Sequence, residues 1–152
     1  MAAKDNHPGY IMTVLTNKCP RCREGFIYKE KNAYKLQSVV KMMDRCPVCG
    51  QPTEIEVGFY YGTGYVSYAL SVGLCVASCI LWWLTIGFSF EDDRFLTWLI
   101  VNAFFLIGIQ PPLMRLSRTL WLSWFVKYDP AWRDHQPGEY SERTIREHMG
   151  NW

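Results

Sequence analysis

The sequence predicts a membrane α-helical hairpin, two transmembrane helices with a small N-terminal four-cysteine zinc-ribbon module and a C-terminal interfacial helix. Three observations predict it. Residues 57–90 hold no charged side chain and residues 95–114 hold none, and the charged cluster Glu91-Asp92-Asp93-Arg94 lies between them. Four of the six cysteines come in two pairs, Cys19-Pro20-Arg21-Cys22 and Cys46-Pro47-Val48-Cys49. Lysine and arginine gather at the two ends of the 152-residue chain, nine of the 16 before Val57 and six from Arg115 onward.

Residues 1–16 read as a mobile N-terminal arm, polar and broken by His7-Pro8-Gly9, with no secretory-signal pattern, so the N-terminus is expected to stay on the side where it is made. Residues 17–56 form the ribbon. Its pairs read C-x₂-C, 23 residues, C-x₂-C, close to the spacing of four-cysteine zinc sites. A two-residue gap makes a tight knuckle that points both sulfurs at one ion, and proline presets the turn. Glycine just after the second cysteine turns the backbone with positive φ, as Gly50 would; Arg23 holds that position in the first knuckle, with Gly25 two residues later. Between the knuckles, Phe26-Ile27-Tyr28 and Leu36-Gln37-Ser38-Val39-Val40 fit short strands or one short helix. Some forty residues bury little core, so the metal would supply most of the folding free energy, about 10–16 kcal/mol for structural zinc. Rubredoxin-like iron, disulfides and free thiols are the alternatives for Cys19, Cys22, Cys46 and Cys49, and disulfides need an oxidising compartment.

Residues 57–64, Val-Gly-Phe-Tyr-Tyr-Gly-Thr-Gly, read as an interfacial aromatic-glycine lead-in. A bilayer core about 30 Å thick needs roughly 20 apolar helical residues, which residues 65–90 and 95–114 provide as transmembrane helices 1 and 2. On the first, Ala69, Gly73 and Ala77 fall four apart, as do Ser67, Ser71, Cys75 and Cys79, which together make one broad small face suited to close helix packing. Two thiols at Cys75 and Cys79 also raise a copper(I) reading. The second span carries Asn102 and Gln110, able to bond across the hairpin, and no ionisable residue of the kind that lines a transport path. Pro111-Pro112 should kink or break this helix. Residues 115–128 then read as an interfacial helix with Trp121, Trp124 and Phe125 at the headgroups, and residues 129–152 as a cytoplasmic tail with turns at Asp129-Pro130 and Pro137-Gly138 and a last short helix over residues 141–149. His7, His135 and His148 stand in polar surroundings and read as surface residues.

Charge placement predicts both termini on the cytoplasmic side. The formal net charge is +2, and the ribbon's basic residues are scattered, which argues against a nucleic-acid partner. There is no nucleophile–base pair, no pair of carboxylates in a pocket and no open metal position in the pattern, so no enzyme is expected and no small-molecule substrate is identified.

Together the two knuckles, the Phe59-Tyr60-Tyr61-Gly62-Thr63-Gly64-Tyr65 lead-in and the two spans resemble the bacterial domain-of-unknown-function family 983 over about residues 17–128. Arg23 departs from the glycine more usual there. The resemblance implies a small bacterial inner-membrane protein, and an association of some members with haem–copper terminal oxidases. Two functions follow as expectations. One is a non-enzymatic accessory or assembly protein, its hairpin docked on other membrane subunits in the lipid bilayer and its ribbon holding one structural Zn2+. The other is a metal or redox carrier, using iron at the four cysteines or copper at Cys75 and Cys79.

Overall fold

A computed structural model describes residues 8–87 and 93–138. Three α-helices appear in it, α1 (Tyr10–Leu15), α2 (Thr63–Thr85) and α3 (Arg94–Phe125), with 3-10 turns at Leu36–Ser38 and Phe59–Gly62. The expected arm is therefore ordered from residue 8 on: α1 buries Thr13 and Val14, and the Tyr10 hydroxyl meets Ser123 Oγ at 2.8 Å. It packs on α3 through this face, a long-range contact that local polarity does not announce, while Ile11, Met12 and Leu15 stay exposed.

Helices α2 and α3 are both long and apolar enough to cross a membrane. They pack antiparallel, because numbers fall on α2 as they rise on α3: Ser78 bonds Asn102, and Gly62 lies against Trp121. No larger residue fits at Gly62, since a Cβ there would run into the Trp121 ring. Asn102, buried, takes a hydrogen bond from Ser78 Oγ (2.8 Å) on its Oδ1 and donates from Nδ2 to Cys75 Sγ (3.3 Å). The outward faces stay open, with Tyr65 82 % and Leu84 76 % exposed, a surface that water would penalise and lipid would not.

Helix α2 ends at Thr85, short of the expected Phe90. Gly87, at φ +77°, closes it by donating to the Trp82 and Trp83 carbonyls, the left-handed terminator that glycine adopts most cheaply. Glu91 and Asp92 lie outside the described residues, as does the short helix expected over residues 141–149.

The larger difference lies at Pro111-Pro112. No break occurs there: α3 runs on as one helix of 32 residues, about 48 Å at 1.5 Å per residue, against about 30 Å for a bilayer core. Residues 115–125 accordingly do not make a separate interfacial helix. The prolines cost α3 two hydrogen bonds, and its last turns are held instead by the ribbon. Arg115, Thr119, Leu122 and Val126 are all buried, at spacings of four, three and four that draw one stripe down the helix.

The ribbon packs on that stripe. Its core joins Cys19, Cys22, Cys46, Cys49, Ile27, Tyr28 and Ile55 to Phe59, Tyr60, Leu122 and Val126, with Trp121 and Trp132 packed against it. Phe59 and Tyr60 are thus core residues and not exposed rings of the expected belt, whereas Tyr61, Tyr65 and Tyr68 stay exposed. Of the two readings, short strands or one short helix, Leu36–Ser38 takes the helical one as a 3-10 turn, and strand pairing is confined to single bridges, Lys18 with Phe26, Tyr28 with Met42 and Arg45 with Pro52. Packing on α3 replaces the sheet.

Candidate metal centre

Each knuckle is a turn closed by its own backbone. In the first, the Cys19 N–H donates to Gly25 O (2.7 Å) and the Arg23 N–H to Cys19 O (2.8 Å). In the second, the Cys46 N–H donates to Gln51 O (2.8 Å) and the Gly50 N–H to Cys46 O (3.0 Å). Arg23 at φ 58° and Gly50 at φ 69° are geometric equivalents. Left-handed backbone costs an L-residue about 1–2 kcal/mol. Arg23 is held there by its guanidinium, 4.0 Å over the Tyr128 ring and bonded to Pro8 O. Gly25 matters for another reason. A Cβ at that position would collide with Cys46 Sγ.

The four sulfurs converge, all within 4.8 Å of one another, and all four residues are buried. Cys19 and Cys49 Sγ lie 3.7 Å apart, Cys22 and Cys46 Sγ 3.8 Å apart. A tetrahedral ion with metal–sulfur distances of about 2.3 Å separates its sulfurs by about 3.8 Å. The cluster therefore fits one four-coordinate metal ion, and among the described residues it is the one group of three or more such ligands. Proximity also shares protons among the thiols. Hydrogen bonds, from Cys19 first, hold Cys22 well below the ordinary thiol range and Cys46 down to about 7, while those same bonds push Cys19 up. A thiolate-binding cation would displace those protons.

Around the cluster, residues distant in sequence lock the ribbon to α3. Arg115 is only 1 % exposed. Its guanidinium donates to Val39 O (2.8 Å), Lys31 O (3.1 Å) and Asn32 O (2.9 Å) and lies 4.8 Å over the Tyr28 ring. Tyr28 returns a bond from its hydroxyl to Arg115 O (2.8 Å), and burial pushes that phenol up to about 12. Arg118 donates to Val40 O (3.0 Å), and Trp121 Nε1 to Phe59 O (2.8 Å). Residues 126–138 close over the first knuckle: Arg21, buried, donates to His135 O (2.7 Å) and to Asp129 Oδ2 (3.3 Å), and the Asp129 N–H donates to Arg21 O. Burial alone would raise the Asp129 carboxyl, but the Ala131 N–H, Arg21 and His135 together lower it. That contact is complete above the ordinary carboxylate range and is lost as pH falls through the lowered value.

All four predicted ligands come together. Cys75 and Cys79 do not join them; Cys75 receives the Asn102 amide inside the hairpin. The predicted small face also divides. Ala69, Gly73 and Ala77 are exposed, whereas Ser67, Ser71, Cys75 and Cys79 are half-buried toward α3. His135 is exposed, as expected, though its backbone carbonyl and ring take part in the Arg21–Asp129 contact; His7 and His148 lie outside the described residues. Sequence reasoning missed Arg115, Tyr28 and Arg21 as a joint. The 4-3-4 stripe running past Pro111-Pro112 was the signal that could have found it.

No protein-family model, no curated protein and no solved structure matches the chain.

Proposed function

We propose that this chain is a non-enzymatic integral membrane accessory or assembly protein, its four cysteines holding one structural zinc ion. On this reading α2 and α3 cross a bacterial inner membrane with both termini cytoplasmic, and the hairpin docks on a larger membrane complex, of which a respiratory terminal oxidase assembly is the candidate implied by the likeness to family 983. One observation carries the reading: the metal cluster shares its core with the end of the second long helix, through Leu122 and Val126. A metal set there acts as a rivet between ribbon and hairpin and not as a mobile cargo. Four thiolates fill a tetrahedral shell and leave no position for water, which agrees with a structural role. The charge distribution supports the topology, since one cation, Arg94, lies between the two helices and fifteen lie at the ends.

The test is purification of the whole chain in mild detergent, followed by metal analysis and identification of membrane proteins that co-purify. One equivalent of zinc, colourless protein and a stoichiometric membrane partner are expected. Red protein carrying iron, or copper retained by Cys75 and Cys79, would replace this reading with a redox or metal carrier.

A further inference from the structure

Where α2 begins, an open groove of about 390 Å³ runs between α2 and α3, floored by Thr63, Ser67 and Ser71 on one side and Gln110, Ser117 and Arg118 on the other. Polar side chains are expensive in a membrane helix, and here those of both helices collect in one crevice. Its depth is set by charge: residues 95–114 are uncharged and Arg115 is the first cation after them, so the groove straddles the edge of the apolar stretch. Exposed Tyr65 and Tyr68 flank it on α2, as aromatic rings do at a headgroup layer.

Its hydrogen-bonding capacity is mixed. Arg118 uses one N–H on Val40 O and lies over the Tyr60 ring, which leaves further N–H groups on a fixed cation. Neither the Gln110 amide nor the Ser67 hydroxyl makes a side-chain bond among the described residues, so both remain available. By contrast Thr63, Ser71 and Ser117 donate to carbonyls of their own segments, Tyr60 O, Ser67 O and Met114 O, and present their oxygens as acceptors. Arg118 and Gln110 stand eight residues, about 12 Å, apart along α3, and the antiparallel register sets Thr63 and Ser117 level with Arg118 and Ser71 level with Gln110. A ligand matching this lining is therefore anionic at Arg118 and bears hydroxyl donors beside that charge, for the oxygens of Thr63 and Ser117. A phosphoglycerol headgroup has both. A choline headgroup has no donor for the oxygens and carries a cation of its own.

We infer that the groove is a seat for one anionic phospholipid with a phosphoglycerol headgroup, its phosphate at Arg118 and its chains along the outer faces of α2 and α3. This inference rests on the membrane reading above. The volume falls within the roughly 300–1,000 Å³ usual for small-molecule sites.

The full chain would be reconstituted in vesicles of equimolar phosphatidylglycerol and phosphatidylcholine, extracted in mild detergent, and its retained lipid counted by native mass spectrometry. One phosphatidylglycerol per chain, favoured at least tenfold over phosphatidylcholine, is expected. Arg118→Gln should lower that preference about tenfold. Because Arg118 also holds Val40, the second variant is Gly64→Leu, which lines the same groove at a position where an added Cβ meets nothing within 4 Å; it should exclude the lipid with Arg118 and the metal content unchanged. Equal retention of the two lipids, full retention by Gly64→Leu, or displacement of the lipid by millimolar inorganic phosphate would each overturn the seat. Release of the chain from membranes by alkaline carbonate would overturn the membrane reading and the seat with it, whereas a chain that stays in the membrane without lipid preference overturns the seat alone.

Discussion

Replacing Arg115 by methionine tests the joint between ribbon and hairpin. Methionine keeps most of the apolar stem and removes the three N–H···O=C bonds to Val39, Lys31 and Asn32. Hydrogen bonds from a charged donor are each worth about 1.5–3 kcal/mol, but the three acceptors are unequal. Lys31 and Asn32 are exposed, so water can replace the guanidinium at their carbonyls; Val39 is buried, and its carbonyl would stay dry. Adding the lost stacking on Tyr28, about 0.5–2 kcal/mol, gives a total of about 3–5 kcal/mol for opening of the segment that Arg115 holds. The assay is hydrogen exchange read by mass spectrometry on peptides covering Lys29, Lys41 and Met43, whose N–H groups bond within that segment. At 1.4 kcal/mol per factor of ten, their protection should fall by about 10²- to 4 × 10³-fold, while peptides carrying Cys46 and Gly50 stay protected. Arg115→Lys should fall between, because an ammonium cannot reach three divergent carbonyls as a planar fork does. Protection in Arg115→Met within threefold of the unmodified protein would refute the claim that this buried cation is what seats the ribbon.

Four further outcomes are expected. Cys46→Ser should lose the metal, about 10–16 kcal/mol of binding free energy if it is zinc, and should expose residues 119–126 along with the ribbon while α2 stays helical and protected; metal analysis with limited proteolysis reads both. Gly25→Ala should weaken metal retention against a chelator by at least tenfold, because its new methyl group meets Cys46 Sγ, and unchanged retention would remove glycine's steric role. Asn102→Ala should lower hairpin stability by about 1 kcal/mol, the usual worth of a polar pair between membrane helices, read as a lower unfolding temperature in detergent. Gly73→Leu should leave the fold and the metal content intact, since a Cβ at Gly73 meets nothing; a destabilised protein would mean the Ala69–Gly73–Ala77 row is internal.

What could be read from the sequence was what depends on near neighbours. Ligand spacing within six residues announced each knuckle, and continuous apolar runs announced both long helices. Even the anomaly at Arg23 was visible, as the residue standing where Gly50 stands in the other knuckle. The joint was hidden for the same reason in reverse. Arg115 meets carbonyls 76 to 84 positions away, and no local pattern encodes an acceptor that is a peptide carbonyl, because every residue has one. Pro111-Pro112 misled because proline's penalty is local and the compensation is not: Tyr28, the knuckles and Trp132 hold the turns beyond it. Phe59 and Tyr60 were assigned to the headgroups because amphipathic rings beside a span usually sit there; a neighbouring core claimed them first.

The shared core of ribbon and α3 also sets an order of events during synthesis. Cysteines at 19, 22, 46 and 49 leave the ribosome long before Leu122, Val126 and Trp132, which cover them, and domains fold as their last contributing residues appear. A nascent chain halted after α2 carries every metal ligand and none of the residues of α3 that bury them. Completion of this shared core therefore reports that both long helices have been made and that the second has folded back to the first cysteines. Truncated or mis-threaded chains announce themselves through an uncovered cysteine cluster, and a protease that recognises that exposure needs no other signal to sort finished copies from failed ones.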